Sequence, residues 1–197
     1  CTLIKQEDID IIWGGNARVD GIDAEILTTA RDAGCRQVTF GFESGSQRIL
    51  DVLNKKTTVQ QNRHAIELCL QAGIIPQGTF MIGNPTETKE DLEATKKFVQ
   101  ESSLESAGVC ITTPYPGTEI WEWCRQQGKI PAQVNWEDLV YDKAPITVCS
   151  AVSIDELQKT KSDIERVIFM RKNTKLSFSK VLSQILPHPW RSCLILA

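Results

Sequence analysis

The sequence predicts an α/β fold built on a parallel sheet, and three observations carry that expectation. Helix-like and strand-like segments alternate along most of the 197 residues. The dipeptide Ala-Gly punctuates the alternation at Ala33-Gly34, Ala72-Gly73 and Ala107-Gly108, at the spacing of one βα unit. The strand-like segments carry Val, Ile, Phe and Thr with little charge, as strands covered on both faces do. Repeated βα units with short loops make a parallel sheet with right-handed crossovers. Four strands are too few for a closed eight-stranded barrel, so the sheet is either open or completed by strands upstream of Cys1.

Each element has its own signal. Asp8–Trp13 is the expected first strand. A helix follows with Ile22, Ile26, Leu27, Ala30 and Ala33 on one face, and Gly34 suits the left-handed position beyond its end. Arg36–Phe42 is the second strand and Ser46–Leu53 a short helix. Thr58 and Gln61 form a capping-box pattern that opens a helix bearing Ile66, Cys69 and Leu70, closed by Gly73. Ile75–Ile82 is the third strand. Thr88 begins the next helix, where Glu90 and Asp91 suit its positive end. Gly108–Thr113 is the fourth strand, and Thr118 caps a short helix that ends before Gly128. Residues 129–152, with Pro131 and Pro145, read as a loop wrapped around Trp136. A second capping-box pattern, Ser153 with Glu156, opens one or two terminal helices over residues 153–183, with Leu157, Ile164, Val167 and Ile168 on a face. Two regions result: 1–128, which holds the βα units, and 129–197, a loop and helical extension.

Composition narrows the classes. With 41% hydrophobic and 24% charged residues, the chain is neither disordered, collagenous nor a coiled coil overall. No apolar run reaches the roughly 18 residues of a membrane span, and no secretory signal opens the chain. A start at Cys1 is expected of a fragment or a processed product. Residues 1–165 hold all 25 acidic residues against 16 basic ones, which argues against nucleic acid as the main ligand. Residues 166–197 hold 6 basic residues and no acid, read as a solvated helical face. The seven cysteines are odd in number, with no Cys-x-x-Cys pair. That pattern fits buried thiols in a reducing cytoplasm, with neither a zinc site nor an iron–sulfur site in this chain.

Ligands of parallel α/β sheets bind at the C-terminal ends of the strands. Glycine and polar residues gather at all four: Trp13 to Arg18, Gly41 to Ser46, Gly83 to Thr88, and Thr112 to Thr118. Glu43 has the chemistry to accept hydrogen bonds from a ligand ammonium or hydroxyl group, or to form a structural salt bridge or cap. Lys55 and Lys56 either reach an anionic carboxylate or phosphate, or are a solvated pair at a helix C-terminus. Glu87 either binds a ligand or braces its loop. Tyr115 either packs on a flat ring or belongs to a rigid Pro-bounded turn. His64 and His188 lie away from this rim.

Taken together, these segments resemble the radical S-adenosylmethionine (radical SAM) superfamily. Trp13 to Asp20 fits W-x-x-x-x-R-V-D, and Gly41 to Ser46 fits G-x-E-S-G-S. Gly83 to Thr88 fits G-x-P-x-E-T, and Pro114 to Thr118 fits P-Y-P-G-T. Ile49-Leu50, leading to Lys55 and then Thr57-Thr58, matches in order and spacing. The resemblance covers about residues 9–128. A weaker likeness at Trp136-Glu137 and Ser153–Arg171 points to cobalamin-associated members.

The resemblance implies a partial TIM-type barrel of the (β/α)6 family, with this chain supplying the last four βα units and a C-terminal helical extension. It implies S-adenosylmethionine and a 4Fe–4S cluster as cofactors, cobalamin as a third in the associated members, and a 5′-deoxyadenosyl radical that attacks a small-molecule substrate. The function implied is the SAM-binding half of such an enzyme, a methyltransferase or cyclase among the candidates, served by a reductant such as flavodoxin or ferredoxin. By the family pattern Asn16, Glu43, Ser44, Lys55, Thr79, Gly83 and Thr112 line the cofactor, with Lys55 toward its carboxylate. The three-cysteine cluster motif is absent and expected upstream of Cys1, which leaves the chain by itself inactive. From the residues alone, a non-catalytic α/β module that binds a metabolite or partner, and a barrel enzyme with phosphate near Gly83, stay open.

Overall fold

The computed structural model describes residues 1–139, 146, 148 and 151–185. Pro145, Pro187, His188 and Pro189 lie outside them. The elements run α1 (Thr2–Gln6), β1 (Trp13–Ala17), α2 (Ala24–Asp32), β2 (Cys35–Glu43), α3 (Gln47–Val52), α4 (Val59–Gln71), β3 (Ile75–Ile82), α5 (Lys89–Glu101), β4 (Ser106–Ile111), α6 (Glu119–Gln126) and α7 (Ile154–Ile185). The four strands form one parallel sheet in sequential order, β1-β2-β3-β4.

Strand alternation divides the sheet into two faces. Val38, Phe40 and Phe42 of β2, Phe80 and Ile82 of β3, and Val109 and Ile111 of β4 all point to one side. There they bury against Leu27 and Ala30 of α2, Ala65, Ile66 and Cys69 of α4, and Leu92, Phe98 and Val99 of α5. Phe42 is the centre, with its ring 5.5 Å from Phe40 and 5.8 Å from Phe80 and from Phe98. Each such ring contributes about 1.5–3 kcal/mol through removal from water. Gly78 makes room for it, because a Cβ there would lie 2.6 Å from the Phe42 ring.

Local signals read from the sequence hold. Thr58 and Gln61 form the capping box of α4, and Thr118 caps α6 by accepting from the Trp121 amide at 3.2 Å. Ser153 and Glu156 exchange the capping contacts at the start of α7. Gly34 and Gly73 take φ of +93° and +71° past their helices.

Three expectations need correction. The first strand is Trp13–Ala17, not Asp8–Trp13. Its partner β2 begins at Cys35, which pairs with Trp13, so the parallel ladder starts only there and residues 8–12 precede it. Ile9, Ile11 and Ile12 are exposed instead, leaving an apolar surface on this side of the sheet. The third Ala-Gly, Ala107-Gly108, sits inside β4, because α5 already ends at Glu101. Trp136 is not enclosed; it is 62% exposed and stacks on Trp121 at 6.2 Å. Of the one or two terminal helices expected, the structure has one, Ile154–Ile185, and its first half is core: Leu157, Ile164 and Ile168 pack in the same cluster as the strands. Arg171 fixes the docking by donating to the carbonyl oxygens of Leu104 at 2.7 Å and Gln100 at 3.1 Å.

Candidate functional site

The sheet face away from the helices carries different chemistry. Asn16 of β1, Thr39 of β2, Gln77 of β3 and Ser106 of β4 stand in one transverse row. Gly41, Thr79 and Gly108 form the next row toward the strand C-termini. These are neutral polar or small residues on strands whose opposite face is almost wholly apolar, so this side is built to meet water or a polar ligand.

Glu43 ends β2 at φ +62°, and Lys55 follows α3 in a tight turn flanked by Asn54 and Lys56 at φ +51° and +61°. The turns bring the two side chains together. Lys55 Nζ donates to Glu43 Oε1 at 2.9 Å, with both side chains at most a quarter exposed. The pair lies over Gly41: a Cβ on Gly41 would be 2.5 Å from Glu43 Oε1 and 3.1 Å from Lys55 Nζ. The absent side chain at Gly41 leaves the space in which this charge pair sits against the open face.

The seven residues singled out by resemblance divide into two groups. Asn16, Glu43, Lys55 and Thr79 share the open face or its rim. Ser44, Gly83 and Thr112 make bracing contacts instead. Ser44 is buried with its hydroxyl 3.0 Å from Thr95 Oγ1 of α5. Gly83, at φ +79°, presents its Cα to Leu157 of α7. Thr112 is buried and donates to Asn84 Oδ1 at 2.8 Å.

Sequence reasoning missed the brace itself, a polar network beneath the rim. Asp91 of α5 is its hub: it accepts from Ser46 Oγ at 2.6 Å and from Thr88 N and Oγ1 at 2.9 Å, and pairs with Arg48 of α3. Burial works to raise the Asp91 pKa, but the hydrogen bonds from Arg48, Ser46 and Thr88 outweigh it and hold the carboxylate well below its usual range. Glu87 is fully buried and accepts from the Asn84 amide at 2.7 Å. Burial dominates there and pushes its carboxyl up to about 7. The only legible hint was Thr88 preceding Asp91 at capping-box spacing; the other partners of Asp91, Ser46 and Arg48, lie 45 and 43 residues away.

No cluster site emerges. Among the described residues no group of three or more His, Cys, Asp and Glu is placed to hold a metal ion. Cys35 and Cys69 are buried in the core, and burial pushes the Cys69 thiol up to about 11, far from a thiolate ligand.

Known proteins agree with this architecture. The sequence model of the radical SAM superfamily matches residues 5–99. An uncharacterized methyltransferase of Pyrococcus horikoshii is 41% identical over 120 residues, 61% of this chain and 26% of its own length. The anaerobic magnesium-protoporphyrin IX monomethyl ester cyclase of Rubrivivax gelatinosus is 35% identical over 124 residues, 62% of this chain and 22% of its own. This chain thus spans about a quarter of the relatives it matches. Among solved structures, coproporphyrinogen III oxidase from Escherichia coli, a radical SAM enzyme, superposes with a TM-score of 0.58 at 16% identity, covering 84% of this chain and 36% of that one. Four sequential parallel strands, a polar rim at their ends and a family match over all but the last of them give one conclusion: residues 5–99 match the radical SAM superfamily, on four βα units arranged as in its partial barrels.

Proposed function

We propose that residues 1–197 form the S-adenosylmethionine-binding half of a radical SAM enzyme acting on a small molecule. The Glu43–Lys55 pair over Gly41 carries this reading. A zwitterionic amino-acid end presents an ammonium and a carboxylate side by side, and this pair is its complement. When the ligand enters, Glu43 accepts from the ammonium and Lys55 donates to the carboxylate, so one internal contact is exchanged for two charge-assisted ones. Asn16 and Thr79, on the same face, offer neutral donors and acceptors to the ribose and adenine. Bound S-adenosylmethionine supplies a methyl or 5′-deoxyadenosyl group.

The described residues do not fit a 4Fe–4S cluster, because their cysteines are dispersed and partly sequestered in the core. Its ligands are therefore proposed to lie outside the described residues. In this reading residues 1–128 belong to the barrel, and 129–197 form an extension whose helix α7 covers β4. Methyl transfer or ring closure, with cobalamin as a further cofactor, is supported by relatives described as methyltransferases and cyclases and by a fold neighbour described with bound cobalamin. A cytoplasmic setting and a flavodoxin- or ferredoxin-type reductant complete the proposal. No helix among the described residues is long and apolar enough to cross a membrane.

Calorimetric titration of the intact protein with S-adenosylmethionine tests the reading. A charge-assisted hydrogen bond contributes about 1.5–3 kcal/mol, and 1.4 kcal/mol is tenfold in affinity. Glu43→Gln and Lys55→Met are each expected to weaken binding about tenfold or more. Unchanged affinity in both would return the pair to a structural salt bridge.

A further inference from the structure

Glu43 sits in a backbone geometry that residues with side chains rarely adopt. Its φ is +62°, and the Ser44 amide donates to the Phe42 carbonyl at 2.8 Å, so the chain reverses in three residues with Glu43 at the apex. Three-residue turns with a positive central φ are rare and strained, and such strain persists only where the surroundings over-determine it. The ladder to β3 shifts at the same point, from Gly41–Thr79 to Glu43–Phe80.

Two buried side chains, from two different helices, hold this turn. Asn62 lies inside α4, fully buried, and its Nδ2 donates to the same Phe42 carbonyl at 3.3 Å. Its Oδ1 has no hydrogen-bond partner among the described residues. A half-satisfied buried amide is costly where an apolar side chain would pack freely, so packing alone does not account for Asn62. Thr95 of α5 is equally buried. Its hydroxyl proton goes to the Asp91 carbonyl at 3.1 Å, which leaves its oxygen to accept from the Gly45 amide and the Ser44 hydroxyl, both at 3.0 Å. Gly45 is pressed against the same helix, where a Cβ would lie 2.6 Å from the Ala94 carbonyl oxygen. The carbonyl before Glu43 is thereby tied to α4, and the two residues after it to α5.

We propose that Asn62 and Thr95 are positioning residues of the ligand site, holding Glu43 in its strained turn with the carboxylate over Gly41 beside Lys55. This rests on the function proposed above. With either tie removed, the apex relaxes toward extended backbone, and the carboxylate leaves the place where a ligand ammonium meets it.

The test is a set of calorimetric titrations of the intact protein with S-adenosylmethionine and with 5′-methylthioadenosine, which lacks the amino and carboxylate groups. Asn62→Ala and Thr95→Val are each expected to weaken S-adenosylmethionine about three- to tenfold, and Thr95→Ser, which keeps the hydroxyl, to restore it. Added to Glu43→Gln, either is expected to cost less than a further twofold, because groups acting as one unit are non-additive. Binding of 5′-methylthioadenosine is expected to stay the same throughout. Additive losses, or equal losses for both ligands, would show general damage to the fold and overturn the proposal. So would wild-type affinity in Asn62→Ala and Thr95→Val while Glu43→Gln is impaired. Wild-type affinity in Glu43→Gln would overturn the ligand-site reading first and this inference with it. Either positioning variant carries the test by itself if the other melts below the titration temperature.

Discussion

Glu87 makes the stability of this protein depend on pH in a direction opposite to that of an ordinary surface carboxylate. Its carboxyl is fully buried beneath the β3–α5 loop, and burial raises its pKa from 4.5 to about 7. The hydrogen bond from the Asn84 amide favours the ionised form but does not compensate, and nearby Asp91 adds repulsion. A carboxyl raised on folding binds its proton more tightly in the native state. Its contribution is therefore fully present below the unfolded pKa and is lost as pH rises through the folded one. At 1.36 kcal/mol per pKa unit the full loss is about 3 kcal/mol, most of it between about pH 5 and about pH 8. Glu87→Gln keeps an oxygen to accept from Asn84 and cannot ionise. Urea unfolding of both proteins across that range is expected to show the variant gaining on the wild type by about 2 kcal/mol. A stability difference that does not change with pH would refute the argument. It would mean that the loop opens to water or that another group titrates in its place.

Three further outcomes are expected. Gly34→Ala should destabilise the protein by about 2 kcal/mol or more in urea unfolding, because φ is +93° and the new Cβ would lie 1.9 Å from the Ile11 carbonyl oxygen. Asp91→Ala should cost about 2 kcal/mol, less than a fully buried pair because Arg48 is half exposed; the wild-type contribution, from a lowered pKa, should disappear as pH falls through and below about 4, read from the unfolding midpoint. Residues 1–197 reconstituted anaerobically with iron and sulfide should give no 4Fe–4S absorbance. A stoichiometric cluster would show that their cysteines converge.

Interactions that span three or four residues are legible in the order of the amino acids. The caps at Thr58, Thr118 and Ser153 join atoms within one helical turn, and the left-handed glycines at 34 and 73 answer to the helices they close. Strand identity is legible where alternation coincides with a partner, as in β3. It misleads at Asp8–Ile12, where the pattern is strand-like but the partner strand has not begun. The charge pair is half legible: Glu43 and Lys55 can each be singled out, but their meeting depends on two left-handed turns and on the space above Gly41.

The sequence by itself determined the order of the βα units, the sites of helix initiation and the gathering of glycine and polar residues at one rim, because those follow from local geometry and period. Tertiary structure alone decided which way each rim residue faces. Ser44 and Thr112 have the same chemistry as Thr79, yet they turn to partners on other segments, Thr95 and Asn84, while Thr79 stands on the open face. A side chain's role there is set by which distant backbone or hydroxyl lies within about 3 Å, the reach of a hydrogen bond, and chain neighbours do not encode that distance.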